Sequence, residues 1–140
     1  MSIKQISILI ENKKGQLAET SRYIANRGIN MRALSIADTQ DYGILRIICD
    51  DPEKANEVLR EDGYMTMITK VIAVATDDKP GSMADILDVL VVADVAVEYA
   101  YAFVSPKAEA YMVFRVDDYS KAVAALTEAG KKVATEADLF

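Results

Sequence analysis

Residues 50–63 read DDPEKANEVLREDG, and residues 117–130 read DDYSKAVAALTEAG. The two stretches share the string DD-x-x-KA-x-x-x-L-x-x-x-G at an offset of 67 residues. Each reads as a short helix. An aspartate supplies the N-cap, Ala55, Val58 and Leu59 are expected to face inward in the first copy, and a glycine ends each helix. In the first copy Pro52 falls in the opening turn, where its missing N–H costs nothing. A string this specific, occurring twice, means two copies of one small domain rather than a solenoid.

Outward from these helices the repeat continues. Sliding the chain by 66 residues places Gly15 on Gly81, Lys13 on Lys79 and Ile29 on Val95. Each copy opens with an apolar, strand-like run (SIKQISILI, then KVIAVAT). A polar loop with one glycine follows: ENKKGQL at 11–17 and DDKPGSM at 77–83. A helical period comes next. Its expected inner stripe is Leu17, Ser21, Ile24 and Gly28 in copy one, and Met83, Ile86, Leu87, Leu90 and Val91 in copy two. GINMRALSIAD and residues 95–104 read as second strands, ILRIIC and residues 110–116 as third strands. After the second helix come YMTMI and a short strand near 131–135. The order is β-α-β-β-α-β twice. The expected fold is α+β: two ferredoxin-like units, 1–69 and 70–140, whose antiparallel sheets are joined side by side with helices on one face. No turn residue interrupts 64–76, so the link is expected to be short, as one bent strand.

Composition narrows the function. The formal charge is −6, which argues against nucleic-acid and anionic-membrane partners. Residues 70–140 hold most of it, with twelve acidic residues against seven basic. No run approaches the ~20 apolar residues that span a bilayer. The N-terminus shows no signal-peptide pattern. The single cysteine, Cys49, has no partner for an internal disulfide, which fits a cytoplasmic protein. One cysteine also excludes a paired-thiolate metal carrier, and the absence of histidine removes the commonest general base and metal ligand. The pairs Asp50-Asp51 and Asp117-Asp118 read as caps rather than as a carboxylate dyad. No catalytic constellation emerges, and no metal or cofactor is implied.

The pattern strand–E-N-x-x-G-x-L–helix–G-I-N, joined to DDKPGSM and VAVEYAYAFVSPKAEAYMVFRVDD in the second half, resembles the tandem ACT domain proteins: stand-alone regulatory proteins that bind amino acids. The resemblance covers essentially the whole chain. It implies a non-catalytic sensor of a free L-amino acid, bound at the seam between two domains and regulating amino-acid metabolism. A metabolic enzyme and further copies of the chain are the implied macromolecular partners. In that family, domains pair through their second strands, and the ligand sits between the first loop of one domain and the facing strand of the other.

The loops suit such a ligand. A helix N-terminus offers free N–H groups and a positive dipole end to a carboxylate. Gly15, Gln16 and Leu17 are the expected amide donors in copy one; Gly81, Ser82 and Met83 are those in copy two. Asn12 and Asn30 match the asparagines that contact the effector in amino-acid-binding ACT domains, and Met31 follows Asn30 on the strand. Copy two differs: Asp78 stands for Asn12 and Ala96 for Asn30, while Pro80 stiffens its loop where copy one has Lys14. Tyr99, Tyr101 and Phe103 share one strand face. They read either as sheet cover or, for Tyr99 and Tyr101, as a wall of the site of loop 11–17. The seam is expected to pair residues 31–37 with 97–103 within the chain. Two other readings stay open: an interaction subunit that has lost ligand binding, and a small enzyme of ferredoxin-like fold.

Overall fold

The computed structural model describes residues 2–38 and 40–140. The chain divides into two compact units, Lys4–Thr69 and Lys70–Phe140, the latter joined by the residues through Ile3.

The first unit holds β1 (Ile3–Glu11), α1 (Gln16–Asn26), β2 (Met31–Asp38), β3 (Tyr42–Cys49), α2 (Pro52–Glu61) and the beginning of β4 (Met65–Ala75). Its strand order is β2-β3-β1-β4. β1 and β2 both run antiparallel to β3, with Ile6 opposite Ile47, Ile8 opposite Leu45, and Ile36 opposite Leu45 from the other side. Strand alternation therefore sends Ile6, Ile8, Ile10, Leu45, Ile47 and Cys49 to one face. There they form one buried core with Ile24 of α1 and with Ala55 and Leu59 of α2. Each helix gives this face two residues four apart: Thr20 and Ile24, Ala55 and Leu59. The first pair shifts the stripe expected for α1, because buried Thr20, rather than Leu17 or Ser21, carries its start.

The second unit repeats the plan: the rest of β4, α3 (Ser82–Val92), β5 (Val97–Val104), β6 (Ala110–Val116) and α4 (Tyr119–Glu128), in strand order β4-β6-β5. Ile72, Val74, Phe114 and Val116 pack on Ile86 and Leu90 of α3 and on Ala122 and Leu126 of α4. Val91, expected in the inner stripe, points to solvent at 74% exposure. At 100° per residue it lies roughly 140° around the helix from Ile86. The short strand expected near 131–135 shrinks to one antiparallel bridge, Val74 with Val133, and the chain turns into a last helix, α5 (Glu136–Leu139). A capping box between Thr135 and Asp138 starts this turn, and Leu139 is fully buried.

YMTMI and the strand of residues 71–76 are one continuous strand, β4. The adjacent aspartates have divided duties. Asp51 and Asp118 cap α2 and α4, accepting the N–H of Lys54 and Lys121, each at 3.1 Å. Asp50 and Asp117 instead accept the N–H of Asn30 (3.3 Å) and of Ala96 (2.9 Å). One residue of each pair thus fixes a helix start, and the other fixes where the second strand begins.

Candidate functional site

Both glycine loops are built alike. Gly15 and Gly81 sit at the N-caps of α1 and α3 with φ of 85° and 89°. This left-handed conformation costs a side-chain-bearing residue about 1–2 kcal/mol, which is why glycine occupies it. Neither glycine brings a side chain to cap its helix. The N–H of Gln16 closes a turn onto the carbonyl of Lys13 (3.2 Å), and that of Ser82 closes one onto Lys79 (3.3 Å). The carbonyls of Gly15 and Gly81 accept the N–H of Glu19 and Asp85. The next two amides in each helix, those of Leu17 and Ala18 and of Met83 and Ala84, lie before the intrahelical ladder begins. Leu17 and Met83, about two-fifths exposed, stand beside them as an apolar lip.

Around the first loop, the Asn12 N–H is held by the carbonyl of Asp41 (2.9 Å), tying the loop to the turn before β3. Lys13 pairs with Glu11 at 3.0 Å, and this contact raises the lysine's pKa. Lys14 is exposed. A groove of about 360 Å³ opens beside the loop, with Glu11, Gln16, Glu19, Tyr42 and Tyr64 among its walls. Gln16 reaches the buried Thr20 hydroxyl (3.2 Å), which in turn meets the Tyr64 hydroxyl at 3.3 Å. Tyr64 is a residue of this wall that sequence reading passed over. Its place there depends on α2 returning it to α1, and no local pattern announces that.

The register decides which candidates meet. β1 and β2 run in the same direction, because both are antiparallel to β3. Glu11 lies opposite Tyr42 and Asp38 opposite Gly43, so the first loop sits by the end of β2. Asn30 and Met31 sit at the other end, beside Asp50 and Cys49. Eight strand residues at roughly 3.3 Å each put Asn12 and Asn30 about 26 Å apart. Within one domain they do not share a ligand.

The second loop belongs to the other unit. Asp78 and Pro80 are exposed, and Lys79 pairs loosely with Asp77 (3.9 Å). The Ser82 hydroxyl is buried and has no hydrogen-bond partner among the described residues. On β5, Tyr99 and Tyr101 are half-buried, and Phe103 is buried and stacked on Tyr111 at 5.6 Å. For Phe103, the aromatic run is sheet cover.

β2 pairs with β3, β5 pairs with β6, and both stand last in the strand order. Their outer edges carry Leu34 (49% exposed), Ile36 (42%) and Val104 (66%).

The repeated β-α-β-β-α order, with a left-handed glycine opening the first helix each time, is the decisive observation. The sequence profile of the ACT domain pair matches residues 1–140. The chain belongs to the ACT domain pair family. It is similar to protein BT0572 from Bacteroides thetaiotaomicron: 36% identity, TM-score 0.91, covering 99% of this chain and 96% of that one. At 15% identity it shares its fold with the regulatory subunits of aspartate kinase from Thermus thermophilus (TM-score 0.66) and Thermus flavus (0.65), each covering 92% of this chain and 93% of the other. A search of curated proteins found no match. ACT domains are non-catalytic regulatory modules, and this ACT domain pair is a regulatory protein. Among the described residues no group of three or more His, Cys, Asp or Glu side chains is arranged to hold a metal. Among the described residues no helix is long and apolar enough to cross a membrane.

Proposed function

We propose that this ACT domain pair senses a free L-amino acid at the loop of residues 11–17, with Asn30 of a second copy of the chain completing the site. The observation that carries the proposal is the strand register. Asn12 and Asn30 lie at opposite ends of one sheet, and β2 between them has an open edge. Antiparallel pairing of β2 with β2 of a second copy, about a two-fold axis, carries each Asn30 to the other copy's first loop. The ligand carboxylate then takes the free amides of Leu17 and Ala18 at the helix N-terminus. The side-chain amides of Asn12 and Asn30, each both donor and acceptor, bridge its two charged groups. The acidic groove beside the loop favours the ammonium end.

The loop of 77–83, with Asp78, Pro80, Gly81, Ser82 and Met83, offers the same backbone geometry. Ala96 leaves its facing strand without the second amide. Its site is therefore the weaker of the two. Tyr99 and Tyr101 lie on the strand that would wall it in the equivalent pairing. The output is the activity of an enzyme of amino-acid metabolism. The likeness to aspartate-kinase regulatory subunits supports that class of partner.

Thermal denaturation with each of the common L-amino acids tests this. A ligand that binds only the folded state at a hundred times its Kd adds about 2.7 kcal/mol. One amino acid, or a chemically related group, is expected to raise the midpoint by several degrees. No shift with any of them at millimolar concentration refutes the proposal and favours a subunit that acts through its surfaces alone.

A further inference from the structure

The repeat allows the two helix pairs to be compared residue by residue. In the first unit, Tyr23 of α1 leans onto α2 and donates its hydroxyl to the Val58 carbonyl (2.8 Å). Tyr64 packs against its ring with centroids 5.8 Å apart. The Arg27 guanidinium covers the ring at 4.9 Å. An aromatic ring and, four residues on, an arginine thus fill the outer cleft between the two helices.

In the second unit every one of those fillers is missing. The 66-residue offset puts Val89 at the place of Tyr23 and Ala93 at that of Arg27, and the 67-residue offset puts Ala125 at Val58 and Lys131 at Tyr64. The cleft is left open as an apolar groove of about 540 Å³ between α3 and α4, floored by Val89, Ala93, Ala125 and Ala129. Val92, 88% exposed, stands at its lip. The rim is acidic: Asp88 replaces the Arg22 of copy one, and Glu128 faces it from α4. Neither carboxylate takes part in an ion pair among the described residues. Apolar groups that a lone domain would exclude from water are thus presented with unpaired negative charge around them.

We infer that the α3–α4 groove is a docking site for a helical segment of a partner protein that carries an aromatic residue and, four positions later, an arginine or lysine. The first unit supplies the template, since its own Tyr23 and Arg27 fill the equivalent cleft. The ring takes the apolar floor and the cation takes the Asp88–Glu128 rim. The same acids disfavour a second copy of this face, whose carboxylates would meet them. The inference is independent of the amino-acid site, because it uses neither glycine loop.

The test is selection from a displayed library of helical 14-residue peptides, varied on one face, against the full chain. V89Y/A93R serves as the counter-target: it rebuilds the first unit's own filler. Enriched peptides are expected to carry Phe, Tyr or Trp with Arg or Lys four residues on. A synthetic winner should bind the wild-type chain at least tenfold more tightly than V89Y/A93R. D88N/E128Q should weaken it about two- to fivefold and flatten its salt dependence. V92K, at an exposed position that cannot disturb the core, should also weaken it. The inference is overturned if no peptide is enriched, if winners lack the basic residue, or if they bind V89Y/A93R as well as wild type. It is also overturned if sedimentation shows a dimer that V89Y/A93R alone dissociates, since the occupant would then be a second copy.

Discussion

If each ligand site takes Asn12 from one chain and Asn30 from another, two defective variants should repair each other. Asn12→Ala and Asn30→Ala each delete a hydrogen bond to a charged group. Each alone should cost about 1.5–3 kcal/mol of binding, roughly ten- to a hundred-fold in affinity. The residues stand about 26 Å apart in one sheet by strand rise, so a single chain cannot bring both to one amino acid. In a mixed two-fold dimer, one site carries Asn12 of the Asn30→Ala chain and Asn30 of the Asn12→Ala chain, and is intact. The other site has neither. Random exchange makes about half of the dimers mixed, each with one good site, so about a quarter of wild-type sites should return at wild-type affinity. The assay is titration calorimetry with the amino acid found by thermal denaturation, before and after the variants are mixed and exchanged under mild denaturant. Wild-type-like affinity in both single variants removes these residues from the site. Weak binding in both with no recovery on mixing refutes the shared site, even if ligand binding itself is real.

Placing lysines at Leu34 and Ile36 should separate the copies and abolish ligand binding while leaving the circular dichroism unchanged, because like charges then face each other across an open edge; unchanged sedimentation would exclude the β2 edge as the junction. Gly15→Ala and Gly81→Ala should each cost about 1–2 kcal/mol in urea denaturation. Nothing lies within 4 Å of an added Cβ at either position, so the loss would be conformational, and a smaller cost would mean that the loop relaxes. Burial pushes the Cys49 thiol up to about 11, so the native protein should resist thiol reagents at pH 8 and react once unfolded; fast labelling would contradict its burial. Tyr111 and Lys132 hold the Glu109 carboxyl below its ordinary 4.5, and the N–H and hydroxyl of Thr135 hold Asp138 below 3.8. With depressed folded-state values, their contribution is fully present above those ordinary values and is lost as pH falls through the depressed ones. Hydrogen exchange at residues 131–139 should therefore rise below about pH 4 before the first unit's core opens, and simultaneous opening would deny these contacts a local role.

The repeat, the element order as far as the fourth helix and both helix caps were legible because they are local. A capping aspartate and a closing glycine each act within one or two turns. The string DD-x-x-KA-x-x-x-L-x-x-x-G at 50–63 and 117–130 therefore marked two domains without any fold in view. The helix starts at the two loops were half legible. Gly15 and Gly81 announced a helix N-terminus, but only backbone geometry decided that the Gln16 and Ser82 N–H groups turn inward while the next two amides stay open. Two matters depended on how distant segments return to one another, and composition and period do not encode that. Asp50 and Asp117 hold the second strands rather than the helices, through contacts 20 and 21 residues away. Asn12 and Asn30 lie at opposite ends of one sheet because β1 and β2 run the same way on either side of β3. The sequence by itself determined two copies of one small regulatory domain, each with a glycine loop at a helix start. Tertiary structure alone decided which edges are left open, since pairing is a choice among strands with similar apolar patterns, and register and direction settle it.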